Sequence, residues 1–197
     1  MDDGLGVFLL GLGLERDRHA VAKDVLRDAL DVLRRDETAR GPMPLPSNRE
    51  VLVESVQGNT MELALEVARG GAREICIQVL RSPDGEELTR ITYSFQKDRF
   101  QLDCRKSSLD ATTERPLTGG PLRLSRGSPL RLHIFLDGST LEVFANGRTA
   151  ATRIYPTRPD SVGIQLIGAR RDSRLASLDV WEMRPIWDGT ESIPEHP

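Results

Sequence analysis

The chain has 197 residues, with 27 Lys and Arg against 30 Asp and Glu and a formal net charge of −3. This length suits one main domain with an appendage and is enough to bury a sizeable core. The nearly balanced charge excludes the global basic field expected of a protein that binds nucleic acid or an anionic membrane, so neither is predicted as a partner. Aromatic residues make up 5% of the sequence, which is few for a dedicated lectin.

The first residues resemble neither a secretory signal nor a membrane anchor. Met1, Asp2 and Asp3 are acidic where a signal peptide is basic, and the apolar run at residues 5–14 is interrupted by glycines. This run is also too short to span a bilayer. We therefore expect no export signal in this chain and, by default, a cytoplasmic location.

Residues 15–40 predict an amphipathic helix. Aliphatic residues recur there at three- and four-residue spacing with charged residues between them, which is typical of a helix with one packing face. Gly41 and Pro42 would end the helix, and the Pro-rich stretch at residues 43–46 predicts a short linker. We assign residues 1–44 to an N-terminal segment whose helix packs either on the rest of the chain or on a second copy.

From residue 45 onward the sequence alternates between apolar and polar residues, as β-strands do. Gly58 and Asn59 predict a hairpin turn between the first two long strands, and residues 82–85 predict another turn. Residues 105–120 are mostly polar and predict a long connection. The predicted strands lie near residues 51–53, 61–67, 74–80, 88–95, 99–104, 122–124, 130–136, 139–145, 148–155, 162–167 and 175–183.

Residues 130–156 predict a three-stranded meander with turns at Asp137-Gly138 and Asn146-Gly147, because these dipeptides tolerate the positive φ angles of primed turns. A two-residue turn at the first site pairs Ile134 with Leu141 and His133 with Glu142, and it places the aliphatic residues of both strands on one face. We interpret His133 and Glu142 as a pair that stabilises the sheet rather than as a catalytic acid and base. Pairing at the second turn predicts a bulge near Thr152.

Short strands with frequent turns predict an all-β fold, a sandwich of two antiparallel sheets. The predicted sandwich spans residues 45–187 and leaves residues 188–197 as a C-terminal tail. Cys76 and Cys104 are too few for a disulfide framework and lack metal-ligand spacing, so both are predicted to be buried, with a single bridge between them as the alternative. No metal and no other cofactor is predicted.

The segment IFLDGSTLEVFANG followed by RIYPT, together with LRSPDGEELTRITYS, LDCRKSS and LDVWEMRPIW, resembles the C-terminal β-sandwich domain of glycoside hydrolase family 32. This family includes invertases, inulinases and levanases of the β-fructofuranosidase type, and its members are often secreted. The resemblance covers residues 45–187. It implies a jelly-roll or concanavalin-like sandwich and a role in carbohydrate metabolism. None of the matching motifs belongs to the family's catalytic five-bladed propeller.

The motifs that carry the family's catalytic carboxylates are missing from this sequence. A retaining glycosidase needs a nucleophile and an acid/base carboxylate about 5 Å apart, and the family places them in Asn-Asp-Pro-Asn-Gly, Arg-Asp-Pro and Glu-Cys motifs of the propeller. Here Asp103-Cys104 has Asp where Glu is required, and residues 158–160 carry Arg, Pro and Asp in a different order. We therefore predict no catalytic residues and no hydrolysis of sucrose or fructan by this chain alone.

The resemblance predicts a non-catalytic accessory domain that packs on a family 32 propeller or supports a homo-oligomer. The first alternative is a stand-alone module that binds a fructan or sucrose-type carbohydrate. The second alternative is a protein-interaction module that dimerises through its helix. The accessory domain predicts an exposed apolar patch, and the carbohydrate-binding module an aromatic-lined groove. The residues predicted to contact carbohydrate or propeller are Arg105, Ser107, Ser108, Phe135, Phe144 and Trp181; the first three match a motif that the resemblance places near the domain junction, with a solvated turn as the alternative.

Overall fold

The computed structural model describes residues 34–45, 50–68, 70–169 and 173–184, which form two antiparallel sheets. Sheet 1 has the order β1-β13-β4-β9-β10-β11, with β2 also paired to β13, and sheet 2 has the order β3-β12-β5-β6-β7-β8. The strands of sheet 1 are β1 (Arg34–Arg40), β2 (Met43–Leu45), β4 (Thr60–Ala68), β9 (Leu130–Asp137), β10 (Thr140–Ala145), β11 (Arg148–Arg153) and β13 (Ser173–Met183). Those of sheet 2 are β3 (Glu50–Gln57), β5 (Glu74–Arg81), β6 (Thr89–Ser94), β7 (Arg99–Asp103), β8 (Leu117–Pro121) and β12 (Gly163–Ala169).

One hydrophobic core joins the two sheets. Alternate residues of β4 and β9 face inward from sheet 1, and alternate residues of β5 and β6 face them from sheet 2, since successive side chains of a strand point to opposite faces. The innermost side chains, which are all at most 2% exposed, include Met61, Leu63, Ile134, Leu136, Ile75, Ile77, Ile91 and Tyr93. The predicted all-β sandwich is therefore confirmed.

The N-terminal part of the sandwich begins earlier than residue 45. Residues Arg34–Arg40, predicted as the end of a helix, form strand β1 beside β13, and Met43–Leu45 pairs with β13 instead of forming a linker. The aliphatic stripe of the predicted helix ends at Leu33, so residues 34–40 have no apolar helical face, and the edge of β13 offers their backbone a ladder of hydrogen bonds. Residues 15–33 of that helix and the tail at 188–197 lie outside the described residues.

The hairpin predicted at Gly58-Asn59 does not form. Strand β3 pairs with β12 in sheet 2, whereas β4 pairs with β13 and β9 in sheet 1. Neither Gly58 nor Asn59 has a positive φ, so the link lacks the geometry of a primed two-residue turn. Instead, the N–H of Gly58 donates to the carbonyl of Val162 at 3.0 Å, and the chain crosses here from one sheet to the other.

The register of the first hairpin in the meander differs from the prediction by two residues. Leu136 pairs with Leu141, and His133 pairs with Phe144 rather than with Glu142. The reason is that Gly138 adopts a φ of 54° while Asp137 does not have a positive φ, so the turn is centred on Gly138-Ser139, with glycine at its first central position. A shift of two residues keeps every side chain on its predicted face.

The second hairpin of the meander turns at Asn146-Gly147, as predicted, with φ angles of 45° and 83°. Its pairing is unbroken from Ala145–Arg148 to Thr140–Arg153, so the bulge predicted near Thr152 is absent from this ladder. The N–H of Ile154 donates to the carbonyl of Ser139 at 2.8 Å, and the Ile154 side chain is buried in the core. No bulge is needed because the regular register already turns Ile154 inward.

Candidate functional site

The six predicted contact residues fall into two separate groups. Arg105, Ser107 and Ser108 lie in the loop that follows β7, at the end of the sandwich where the β5–β6, β7–β8 and β11–β12 connections meet. Phe135 and Phe144 lie on the outer face of sheet 1, and Trp181 lies on β13, where it pairs with Glu62 of β4. We call the first region the loop end.

The loop end is built around the buried carboxylate of Glu87, which is 0% exposed. Its Oε1 accepts hydrogen bonds from the N–H of Leu109 at 2.9 Å, the N–H of Thr157 at 2.8 Å and the hydroxyl of Thr157 at 2.5 Å. Its Oε2 accepts from the N–H of Arg158 at 3.1 Å and the hydroxyl of Ser161 at 2.7 Å. One side chain of the β5–β6 connection therefore holds both of the other loops.

The hydrogen bonds to Glu87 determine its charge. Burial by itself would raise the pKa of this carboxyl, but the donors from Thr157, Ser161 and the backbone of Arg158 outweigh it and lower the pKa from 4.5 to about 2. Hydrogen bonds that are made to the charged form of an acid favour that form. Glu87 is consequently ionised at neutral pH although it is fully buried.

Arg158 makes a second connection between two loops of the loop end, through ion pairs. Its guanidinium pairs with Asp160 on its own loop at 2.8 Å and with Asp84 on the β5–β6 turn, and Asp84 also accepts a hydrogen bond from the hydroxyl of Ser82 at 2.6 Å. The hydrogen bonds from Ser82, from the backbone of Glu86 and from Arg158 hold the pKa of Asp84 well below its usual range. The turn at residues 82–85 is thereby linked to the β11–β12 connection by charge as well as through Glu87.

Arg105, Ser107 and Ser108, the predicted contact residues of the LDCRKSS segment, differ in their exposure at the loop end. Arg105 is exposed and makes a two-pronged ion pair with Asp103, at 2.9 and 2.8 Å. Ser107 and Ser108 are each 2% exposed, and the hydroxyl of Ser108 accepts the N–H of Asp110 at 3.2 Å. Of the three, Arg105 is the one that presents its side chain to solvent, while the serines lie inside the loop.

Among the residues whose side chains the structure describes, three large hydrophobic side chains are exposed, and each lies in or beside one of the connections of the loop end. Leu109 is 51% exposed, Leu117 at the start of β8 is 48% exposed, and Tyr155 just after β11 is 43% exposed. The segments that carry Leu109 and Tyr155 are both tied to Glu87 through their backbone. Exposed apolar side chains that form one contiguous patch mark an interaction site, and these three residues are the candidates for such a patch.

The outer face of sheet 1 carries a cluster of rings. Phe135 and Phe144 lie 6.0 Å apart with their planes at 88°, and His133 stacks on Phe135 at a centroid distance of 4.4 Å. His133 also bonds through Nε2 to Oε1 of Glu62 at 2.6 Å, and this carboxyl is fully buried. Trp181 lies two strands from Phe135, with Glu62 between them in the register.

Sequence reasoning missed the two buried glutamates that organise these regions. Glu87 follows another acid, Glu86, and nothing in the pair indicates which one turns inward. Glu62 alternates with core residues and therefore falls on the predicted solvent face of β4, where a buried carboxylate is not expected. Tyr155 stands within the RIYPT segment that carries the resemblance, and this is the one signal that could have singled it out.

The described ranges hold no group of three or more His, Cys, Asp or Glu side chains that could bind a metal ion. No helix within them is long and apolar enough to cross a membrane. Both cysteines, Cys76 and Cys104, are free thiols, and burial raises the pKa of each. The bridge left open by the sequence is therefore absent.

Comparison with known families gives a match to the model described as "Glycosyl hydrolases family 32 C terminal" over residues 30–182. The matched region begins before β1, in agreement with the early start of the sandwich, and ends within β13.

Curated relatives are longer than this chain. A levanase from Bacillus subtilis is 27% identical over 151 residues, which cover 74% of this chain and 22% of the levanase. An extracellular exo-inulinase from Aspergillus niger is 34% identical over 143 residues, which cover 68% of this chain and 26% of the inulinase. The chain thus spans about a quarter of the length of these relatives.

Solved structures share the fold. A β-fructofuranosidase from Aspergillus kawachii superposes with a TM-score of 0.71 at 21% identity, covering 85% of this chain and 30% of that enzyme. An exo-inulinase from Aspergillus awamori superposes with a TM-score of 0.67 at 21% identity, covering 81% of this chain and 32% of the inulinase. At this level of identity the superpositions establish the architecture.

Proposed function

This chain belongs to the family of C-terminal domains of glycosyl hydrolases family 32, and from that premise we propose that it is a non-catalytic accessory domain that packs on a β-fructofuranosidase-type catalytic propeller. The observation that carries the proposal is the match of residues 30–182 to the C-terminal family model, together with alignments that cover about a quarter of each relative. Fold alone does not give function, so the proposal also needs a surface that fits the role.

The loop end supplies such a surface. Leu109, Leu117 and Tyr155 are exposed there, and an accessory domain is expected to present an apolar patch where it meets its catalytic domain. Glu87 anchors the two loops that carry Leu109 and Tyr155, so the patch is held in one arrangement before any partner binds. Preorganisation of this kind lowers the entropic cost of association.

The loop end also carries charged side chains that could surround the apolar centre of the proposed interface. Arg105 is exposed in the loop that follows β7, with its charge balanced by Asp103, and Arg158 is paired with Asp160. Interfaces that join domains within a protein typically combine an apolar centre with polar surroundings. Under this proposal Arg105 is a rim contact, and Ser107 and Ser108 shape the loop that carries Leu109.

The proposal is tested by binding in trans to a related propeller. The levanase of Bacillus subtilis, with the 151 residues that match this chain deleted, would be mixed with the purified chain. Complex formation would be followed by analytical ultracentrifugation. We expect a 1:1 complex that is weakened at least tenfold, on the order of 1.4 kcal/mol, by Leu109→Asp or Tyr155→Asp. Arg126→Asp, an exposed change in the β8–β9 connection, is the matched control and should leave binding unchanged.

Two results would overturn the proposal. One is the absence of any complex with the truncated levanase and with a similarly truncated exo-inulinase. The other is a homodimer of the isolated chain that is broken by Leu109→Asp, because the loop end would then be a contact between copies of this chain.

A further inference from the structure

The outer face of sheet 1 holds a ring corner, formed by His133, Phe135 and Phe144, that the docking proposal does not use. The three residues lie on β9 and β10, with centroid distances of 4.4 Å for His133–Phe135, 6.0 Å for Phe135–Phe144 and 6.4 Å for His133–Phe144. All three side chains are partly exposed. The two phenyl planes stand at 88° in an edge-to-face arrangement, so the two rings are held at right angles to each other on one face of the sheet.

Glu62 fixes the orientation of the histidine in this corner. Its carboxyl is fully buried beneath the sheet face and lies 2.6 Å from Nε2 of His133. With Glu62 ionised, the hydrogen of this pair is on Nε2, because a carboxylate only accepts hydrogen bonds. Within the described ranges the imidazole of His133 makes its hydrogen bond through Nε2, and none is made by Nδ1.

Nδ1 can therefore bind a group that both donates and accepts. Neutral His133 would accept at Nδ1, and protonated His133 would donate there. A hydroxyl group satisfies both states, because it carries one hydrogen and two lone pairs. The half-exposed ring of His133 thus offers a hydroxyl a partner beside two phenyl rings that offer apolar surface.

The charges around the corner disfavour an anionic ligand. Glu62 lies beneath it and Glu142 pairs in register with Phe135, while the charge of Glu66 is balanced by Arg131 in an ion pair of 2.8 Å. Carboxylates at this density disfavour phosphate or another carboxylate. A neutral ligand that has both C–H faces and hydroxyl groups fits the site best.

We propose that the ring corner binds a neutral saccharide, with a C–H face of the sugar against Phe135 or Phe144 and one hydroxyl on Nδ1 of His133. Fructose-containing oligosaccharides are the expected class, because relatives of this chain are a levanase and an exo-inulinase. The site makes the chain a sugar-binding module in addition to its docking role, and it does not depend on that role. Trp181, on the same face two strands away, extends the surface along which a longer oligosaccharide would lie.

The test is a calorimetric titration of the purified full chain with oligosaccharides from inulin and from levan, with dextran oligosaccharides as the control sugar. We expect saturable binding of the fructose-containing sugars, weakened about tenfold by Phe144→Leu, which keeps apolar volume but removes the ring. Arg126→Ala, an exposed change in the β8–β9 connection outside both proposed surfaces, is the control and should bind as the parent does. Nitrogen chemical shifts of the His133 imidazole should move on titration, which a purely structural histidine would not show.

The proposal is overturned by the absence of saturation, by equal affinity for dextran, or by parent-like binding in folded Phe144→Leu. If Phe144→Leu does not fold, Phe135→Leu gives the same comparison on the other ring. In the parent protein, unchanged nitrogen shifts of His133 on titration would also overturn the proposal. Failure of the chain to bind a propeller would leave this result intact, because the titration uses the isolated chain.

Discussion

Replacement of Glu87 by Gln tests whether one buried carboxylate holds the loop end together. The change preserves shape and removes the charge. Oε1 could still accept from Leu109 and Thr157, but the new amide would face the N–H of Arg158, which is also a donor. Hydrogen bonds to a charged group contribute about 1.5–3 kcal/mol each, and an unsatisfied buried donor costs about 1–3 kcal/mol.

The pKa of Glu87 gives a second measure of the same effect. A fall from 4.5 to about 2 corresponds to about 3 kcal/mol of folding free energy at neutral pH, at ~1.4 kcal/mol for each pH unit. Because the folded pKa lies below the unfolded one, this stabilisation is present above pH 4.5 and is lost as the pH falls from about 4.5 toward 2. Both arguments predict that Glu87→Gln lowers the free energy of unfolding at pH 7 by about 3 kcal/mol.

The assay is urea denaturation followed by circular dichroism at pH 7 and at pH 3. For a domain of this size, about 3 kcal/mol corresponds to a decrease in Tm of roughly 6–12 °C. The difference in stability between parent and variant should shrink at pH 3. Glu86→Gln, at a neighbouring side chain that is 65% exposed, is the matched control. A Glu87→Gln variant as stable as Glu86→Gln at pH 7, or one whose deficit is unchanged at pH 3, would refute the reasoning.

Three further outcomes are expected. Gly119→Ala should lower the free energy of unfolding by at least about 2 kcal/mol, because φ is +135° and a Cβ would lie 2.2 Å from a backbone carbonyl oxygen of β7. Gly120→Ala is its control in the same denaturation experiment, because no atom lies within 4 Å of the added Cβ. Tyr93→Phe should lower the free energy of unfolding by about 1–2 kcal/mol in urea denaturation, because its hydroxyl donates to the buried carbonyl of Leu122 at 2.9 Å. Cys104 should react with a thiol reagent only after unfolding, since it is 0% exposed and burial raises its thiol pKa; rapid labelling of the native protein in mass spectrometry would contradict this.

The alternation of apolar residues was sufficient to predict the fold class and the positions of the central strands. β4, β5, β9 and β13 are long and strongly alternating, and each forms near its predicted residues. The choice of partner strand was less predictable. Gly58-Asn59 resembles a hairpin turn, yet it links the two sheets, because the partner of each strand is determined by contacts far away in the sequence. Similarly, β1 forms because β13 offers a free edge, and no property of residues 34–40 alone indicates this edge.

The candidate sites depended on the same distant contacts. Phe135 and Phe144 were placed correctly on the outer face, because the face of a strand residue follows from its parity. Their histidine neighbour was paired with the wrong acid, since Glu62 lies on a strand 71 residues away from His133. The role of Glu87 could not be predicted for a comparable reason. Its donors come from loops 22 and 70 or more residues away, and only the closed sandwich brings them to one carboxylate.

The central claim, that this domain accompanies a catalytic centre rather than containing one, is tested most directly by a fructosidase assay on the purified chain with sucrose, inulin and levan. We predict no release of fructose above the rate measured without protein. Saturable turnover that co-purifies with the chain and disappears when Glu62 or Glu87 is replaced by Gln in a folded variant would contradict the account.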